Sequence, residues 1–165
     1  MKSAIAYPML AFFLFHIACT DSEAPILPGA LTGTWIERFD LENQDSQLLQ
    51  EETINFYDNG AYEHWMGYRD PETNVMLGYR HYAEGIYLLE GRRLMMRESK
   101  RLLHVGGTFY GQLDQLSPVS PYAETSADLK LIENGTRLEM HLSCNPVSSA
   151  RCNPKKTFNK LGYFQ

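Results

Sequence analysis

The stretch ADLKLIENGTRLEMHLS, residues 127–143, decides the fold class, because apolar and polar residues alternate on both sides of Asn134 and Gly135. An Asn-Gly pair between two alternating runs is a strong signal for a β-hairpin, since a type I′ turn needs positive φ at both central positions. Taking these two residues as the loop gives apolar pairs on one face and opposite charges on the other. The predicted cross-strand pairs are Leu131 with Leu138, Leu129 with Met140, Lys130 with Glu139, and Asp128 with His141.

The same alternation recurs upstream. A second Asn-Gly pair, Asn59 and Gly60, lies between runs rich in Ile, Phe, Tyr and Trp, and a third hairpin is predicted around Gly91. Gly85 lies inside a long strand pattern, which predicts a bulge at that point. Further strands are expected near residues 34–40, 108–113 and 157–164, and at most one helical turn near residues 44–50.

This pattern predicts an all-β fold of eight to nine antiparallel strands, because the chain offers no long helical crossover between them. A meander closed into a barrel is favoured over a sandwich, since closure removes the exposed strand edges.

Composition limits the number of domains and the kinds of partner. A length of 165 residues allows one domain plus a targeting segment. The 15 Lys and Arg against 20 Asp and Glu give a net charge of −5, and no run of like charge stands out. Nucleic acid is therefore not an expected partner, because its phosphates need a basic stripe.

Residues 1–18 predict a signal peptide. They carry one Lys at the front and then an apolar run that ends before the polar residues TDSE. The run is shorter than the roughly 20 apolar residues of a spanning helix, and Pro8 lies inside it. We therefore expect the protein to be exported.

The end of this run resembles the lipobox of bacterial lipoproteins. Ile17, Ala18 and Cys19 fit the pattern, with His16 where the family prefers Leu. The resemblance implies that cleavage leaves Cys19 as a lipidated N-terminus. It also implies a membrane partner through the anchor. The acids, Pro and Gly that follow Cys19 indicate a tether over residues 19–30, and the alternation from Leu31 onward predicts a barrel domain over residues 31–165. The expected location is the bacterial cell envelope, on the outer membrane facing the periplasm or the surface.

The other two cysteines predict a disulfide. With Cys19 assigned to lipid, Cys144 and Cys152 remain, separated by seven residues rich in Pro and Ser. An exported protein meets conditions that preserve such a bridge. A metal site is not predicted, because two cysteines without nearby ligands do not complete a zinc site.

The domain resembles lipocalins, and more closely the small lipocalin-like lipoproteins of bacterial envelopes. The motifs that carry the resemblance are Leu31-x-Gly33-x-Trp35, Phe56-x-Asp58-Asn59-Gly60-x-Tyr62, Gly85-x-Tyr87-x-Leu89 and the terminal KTFNKLGYF. The family implies an eight-stranded barrel with a cavity for a small apolar ligand. Its Trp closes one end of the barrel beneath a basic residue of the last strand, a role that falls here to Trp35 with Lys156 or Lys160.

No catalytic motif is present, and no cofactor is predicted: HExxH, GxSxG, a P-loop and a dinucleotide glycine pattern are all missing. For a site assembled only in three dimensions, His64 and His81 are the best candidates, because both sit within aromatic strands. Glu51 and Glu52 fall on opposite faces of a strand and are interpreted as solvated.

Three functions remain open. The leading one is a binder of a small hydrophobic ligand, with Trp65, Tyr62, Tyr79 and Tyr87 as expected lining residues. The second is an interaction module with a filled core that meets an envelope protein through an outer face or the Cys144 to Cys152 loop. The third is a small barrel enzyme, which predicts a His with a carboxylate partner inside the barrel.

Overall fold

The computed structural model describes residues 24–43, 46–143 and 154–162. The predicted signal peptide, Cys19, Cys144 and Cys152 lie outside the described residues. Within those ranges, no helix has the length and apolarity needed to cross a membrane.

Most of the described residues lie in strands. A single turn of helix, α1 (Pro28–Leu31), precedes them. The strands are β1 (Gly33–Asn43), β2 (Ser46–Phe56), β3 (Ala61–Arg69), β4 (Met76–Glu90), β5 (Arg93–Leu103), β6 (Ser117–Pro118), β7 (Glu124–Ile132), β8 (Arg137–Leu142) and β9 (Lys155–Lys160). Two 3-10 turns, Leu113–Gln115 and Glu133–Gly135, complete the list.

The strands form a closed antiparallel barrel of eight, as the sequence predicted. Neighbouring strands run in the order β4-β3-β2-β1-β9-β8-β7-β5, and β4 pairs with β5 to close the ring. The short β6 lies outside the barrel on the edge of β5. The seam between β1 and β9 is short, with two residue pairs, Trp35 with Lys160 and Ile36 with Asn159.

The hairpin of β7 and β8 has the predicted register. All four predicted pairs are present, and Ile132 faces Arg137 as the last pair before the loop. The turn itself differs from the prediction, because Glu133 has positive φ together with Asn134 and Gly135. The loop therefore spans four residues instead of the two of a type I′ turn, without altering the register.

The bulge predicted at Gly85 is confirmed. β4 continues unbroken past this residue, while its pairing with β5 shifts register between Glu84 and Gly85. A Cβ atom at Gly85 would lie 2.0 Å from the carbonyl oxygen of Arg97. Only glycine fits this close approach of two backbones.

Two local predictions are wrong. The helical turn expected near residues 44–50 is strand from Ser46 onward, because the segment pairs along β1, with Leu48 opposite Leu41. Cross-strand packing here overrides helix propensity. The strand expected at residues 108–113 is reduced to one bridge, Gly111 with Tyr79, before the chain enters a 3-10 turn.

One end of the barrel is closed by α1 and the start of β1. Trp35 is fully buried, and its Nε1 donates to the carbonyl oxygen of Leu31 at 2.7 Å. The ammonium of Lys160 lies 5.1 Å from the centre of the Trp35 ring and donates to the carbonyl oxygen of Ala30 at 3.2 Å. Of the two lysines considered for the basic residue, Lys160 therefore lies on the tryptophan. We call this the closed end.

Candidate binding site

Two adjacent carboxylates of β2 are buried on opposite sides of the barrel wall. Side chains alternate along a strand, so Glu51 faces outward and Glu52 inward. Glu51 is 1% exposed and Glu52 is 2% exposed. The interpretation of both as solvated is therefore wrong. Each is buried with cationic partners, which a buried carboxylate requires.

On the outer side, two arginines hold Glu51. Arg69 donates from Nε to Oε2 and from Nη2 to Oε1, both at 2.9 Å, and Arg38 donates from Nε to Oε2 at 2.9 Å. Burial alone would raise the pKa of Glu51, but the hydrogen bonds from Arg69 and Arg38 outweigh it and lower the pKa. This arrangement ties β1, β2 and β3 together on the outside.

On the inner side, His64 and Lys156 hold Glu52. Nε2 of His64 lies 2.8 Å from Oε1 of Glu52, and the ammonium of Lys156 donates to the same oxygen. Burial would raise the pKa of Glu52, but the hydrogen bond and attraction of His64, together with Lys156, lower it to about 2. Glu52 therefore stays ionised at any physiological pH.

The bulge opposite Gly85 brings a second ion pair inside. In regular pairing, residues 98 and 101 would fall on opposite faces of β5. The register shift instead places Glu98 opposite Gly85 and Arg101 opposite the fully buried Ala83. Glu98 and Arg101 then meet through two contacts of 2.8 Å, from Nη2 to Oε1 and from Nε to Oε2.

A neutral histidine lies beside these pairs. The ring of His81 packs edge-on against that of His64, with centroids 5.1 Å apart. Burial lowers the pKa of His81 to about 4, and the nearby charges of His64 and Arg101 act in the same direction. At neutral pH, His81 therefore offers one N–H donor and one lone pair.

Glu37 bridges the seam of the barrel. It faces Glu52 across β1 and β2, and its Oε1 accepts a hydrogen bond from the backbone N–H of Thr157 at 3.2 Å. Its Oε2 is buried and has no hydrogen-bond partner among the described residues. Burial raises the pKa of Glu37, and the charge of Glu52 adds to the rise.

These side chains form one layer around the barrel interior, which we call the ionic belt. Its members come from six strands: Glu37, Glu52, His64, His81, Glu98, Arg101 and Lys156. Three carboxylates and two permanent cations thus share the barrel interior, where Glu52 is almost fully buried while Lys156 and Arg101 are partly exposed. Such a layer needs internal partners for its charges, and the two ion pairs supply most of them.

A cavity of about 170 Å³ lies against this belt. Its polar lining is Glu52, Tyr62, His64, Glu98, Thr125 and Lys156, and its apolar lining is Ile54, Met96, Met140 and Leu142. A cavity of about 150 Å³ is large enough for a single aromatic ring. The space therefore suits a small molecule with one polar and one apolar side.

The four aromatic residues expected to line a cavity lie in different places. Tyr62 lines this cavity, where burial raises the pKa of its hydroxyl to about 12, helped by the charge of Glu98. Tyr87 packs edge-on against Phe56 in the core at the closed end.

The other two lie away from the cavity lining. Trp65 is paired with Thr53 and Tyr82, on the face of β3 opposite to that of Tyr62. Tyr79 exchanges two backbone hydrogen bonds with Gly111, at 2.8 and 3.0 Å.

No protein-family model, curated protein or solved structure matches this chain. Within the described part of the chain, no group of three or more His, Cys, Asp or Glu side chains is placed to hold a metal ion.

Sequence reasoning identified His64 and His81 but missed their partners. Glu52, Ile54 and Phe56 follow one another at every second position of β2, so their side chains point to the same face. The apolar character of Ile54 and Phe56 indicates that this face is the inner one. Glu98 and Arg101 give no such signal, because only the bulge puts both inside.

Proposed function

We propose that this protein is an envelope lipoprotein whose lipocalin-like barrel binds a small molecule in its interior. In this proposal the signal peptide of residues 1–18 is removed, Cys19 carries the lipid anchor, and Cys144 and Cys152 form a disulfide beside the barrel.

The observation that carries the proposal is the cavity of about 170 Å³ inside the barrel. A filled core would support the interaction module instead, but here space remains between the ionic belt and Ile54, Met96 and Met140. Small barrels of this strand number hold at most one small ligand.

The lining refines the chemistry of the ligand. One side offers Met and Leu side chains, while the other offers the Tyr62 hydroxyl, the His64 ring and the Glu52 carboxylate. A guest with a hydrogen-bonding group could engage the Tyr62 hydroxyl and the remaining lone pairs of the Glu52 carboxylate, which a purely apolar guest could not. The ligand we propose is therefore amphipathic, of about the size of a single ring, with at least one hydrogen-bonding group.

Catalysis is a second candidate, supported by one observation. His64 has the carboxylate partner inside the barrel that an enzyme would need, Glu52 at 2.8 Å. A carboxylate that orients a histidine is a common part of general-base catalysis. However, Lys156 competes for the same carboxylate oxygen, which favours a structural role for the pair.

Native mass spectrometry of the protein purified from its own host tests the binding proposal. We expect a reproducible extra mass on the wild-type chain, and its identity gives the ligand class. Filling the cavity with Leu142→Trp should remove that mass. The matched control is Leu89→Trp, since Leu89 also packs against the core but does not line the cavity.

Three outcomes separate the candidates. Loss of the extra mass in Leu142→Trp alone supports binding in the cavity. A bare wild-type mass, or loss in both variants, contradicts it. Conversion of the identified ligand on incubation, abolished by His64→Gln, would establish the enzyme instead.

The anchor is tested separately. Fractionation of cells that express the full chain should find wild type with the membranes and Cys19→Ser released. An intact mass that carries diacylglycerol on Cys19 would support lipidation directly, and an unmodified mature N-terminus would contradict it.

A further inference from the structure

Large apolar side chains are exposed around the turn between β4 and β5. Ile86 is 63% exposed and Leu88 is 52% exposed, both on the outer face of β4. Leu27, just before α1, is 72% exposed. Outer faces of antiparallel strands are normally polar, so apolar residues here suggest a contact surface.

The start of the described chain lies at this same turn. The backbone N–H of Ile26 donates to the carbonyl oxygen of Gly91 at 2.9 Å. Leu88 precedes Gly91 by three residues, or about 10 Å along the strand. Leu27 therefore lies beside this turn at the closed end of the barrel, and Leu88 lies further along β4 from the same turn.

The charges around this turn are balanced. Arg93 of β5 lies opposite Asp128 of β7, and Arg97 lies opposite Glu124. The patch therefore carries no net positive charge, and its apolar side chains are the groups that would enter a lipid surface.

The chain length before this point fits a membrane contact. Ala24 follows Cys19 by five residues, which reach at most about 18 Å when fully extended. A lipid on Cys19 would therefore hold the closed end close to the bilayer.

We infer that Leu27, Ile86 and Leu88 form a docking surface that rests on a lipid membrane. The inference relies on the lipid anchor of the proposed function. Docking fixes the orientation of the barrel: the closed end faces the bilayer, and the loops at the other ends of the strands face away from it.

Quenching by brominated lipids tests this orientation. The full-length gene is expressed in a bacterial host, and the protein is reconstituted into vesicles of brominated phosphatidylcholine and phosphatidylglycerol. The reporter variant is Leu88→Trp, with Ile86→Trp as a second if the first misfolds. The control is Val105→Trp, since Val105 is 70% exposed and follows β5 at the opposite end from Gly91.

The emission of the parent protein, due to Trp35 and Trp65, is subtracted from that of each variant. We expect at least twofold quenching of the reporter at residue 88 and no change at residue 105. Equal quenching at both positions, or none at residue 88, would overturn the inference.

The intact mass of the reconstituted protein distinguishes the two possible failures. A lipidated chain without quenching at residue 88 overturns the docking surface and leaves the anchor intact. A chain without lipid on Cys19 removes the anchor from the proposed function, and the docking inference fails with it.

Discussion

Lys156 shows how one residue decides whether a buried charge can be tolerated. Its ammonium reaches the inner carboxylate of Glu52, 104 positions away in sequence. Glu52 remains ionised inside the barrel because Lys156 and His64 compensate its charge. Loss of either partner leaves a carboxylate out of water with too few donors.

We predict that Lys156→Met lowers the free energy of unfolding by about 3 kcal/mol, because breaking a buried pair leaves one charge uncompensated. Adding Glu52→Gln should recover part of the loss, since the uncompensated charge is then removed. Urea denaturation followed by circular dichroism measures both changes.

The matched control is Lys155→Met on the neighbouring residue. Lys155 is 50% exposed and pairs with Glu139 on the surface at 2.9 Å. Surface pairs contribute about 1 kcal/mol or less, so the control should change stability little. Equal losses at positions 155 and 156 would show that the inner pair has no special role.

At the scale of single elements, the bulge in β4 and β5 sets the composition of the barrel interior. The register shift at Gly85 turns both Glu98 and Arg101 inward, so their pairing depends on a backbone feature. A regular strand would bring one of the two to the surface and leave the other buried alone.

Gly85→Ala should therefore be strongly destabilising, by about 3 kcal/mol, because its Cβ would lie 2.0 Å from the carbonyl oxygen of Arg97. Gly29→Ala is the control, since no atom lies within 4 Å of the added carbon. Gly29 lies in α1, where alanine is the better helix former, so stability should stay the same or rise slightly. Thermal unfolding compares the two, and similar melting temperatures would contradict the close approach at Gly85.

Elements encoded by neighbouring residues could be predicted from the sequence. The register of β7 and β8 follows from alternation around Asn134, and the bulge follows from Gly85. The segment that begins β2 was mistaken for a helical turn, because its strand pairing comes from β1 and not from its own residues.

At the scale of the whole molecule, closure of the barrel brings together charged residues that are far apart in the sequence. Glu52 lies beside Lys156 only because β9 returns to β1 and closes the ring. The burial of the ionic belt depends on this long-range pairing. Local patterns could therefore indicate the barrel and two of its histidines, but not the belt as a unit.

The pH dependence of stability is a property of this belt. His81 has a pKa of about 4 in the fold, against an ordinary 6.5, because it is buried and faces His64 and Arg101, with Glu52 and Glu98 opposing. Between pH 6.5 and 4 the unfolded chain takes up a proton that the folded chain does not. We predict that the free energy of unfolding falls over this range, by on the order of 2 kcal/mol.

Below pH 4.5 the free energy of unfolding falls further, because the pKa of Glu52 is lowered from 4.5 to about 2 in the fold. The raised pKa of Glu37 acts in the opposite direction, since it stabilises the fold below pH 4.5. His81→Gln should flatten the upper part of the profile, measured by urea denaturation at a series of pH values. His141→Gln is the control, because the side chain of His141 is 50% exposed, and an identical effect there would exclude His81 as the source.

The short seam between β1 and β9 has a consequence for solubility. In the described part of the chain, β1 continues beyond Glu37 without a strand partner from β9, so residues 38–43 present a strand edge. Such edges template the addition of strands from other molecules, which leads to aggregation. Arg38 and Asp40 are exposed charged residues on this edge, so covering it with another chain would require their charges to be desolvated. We expect replacement of both residues by Thr to lower the concentration at which the protein remains in solution, as measured after centrifugation.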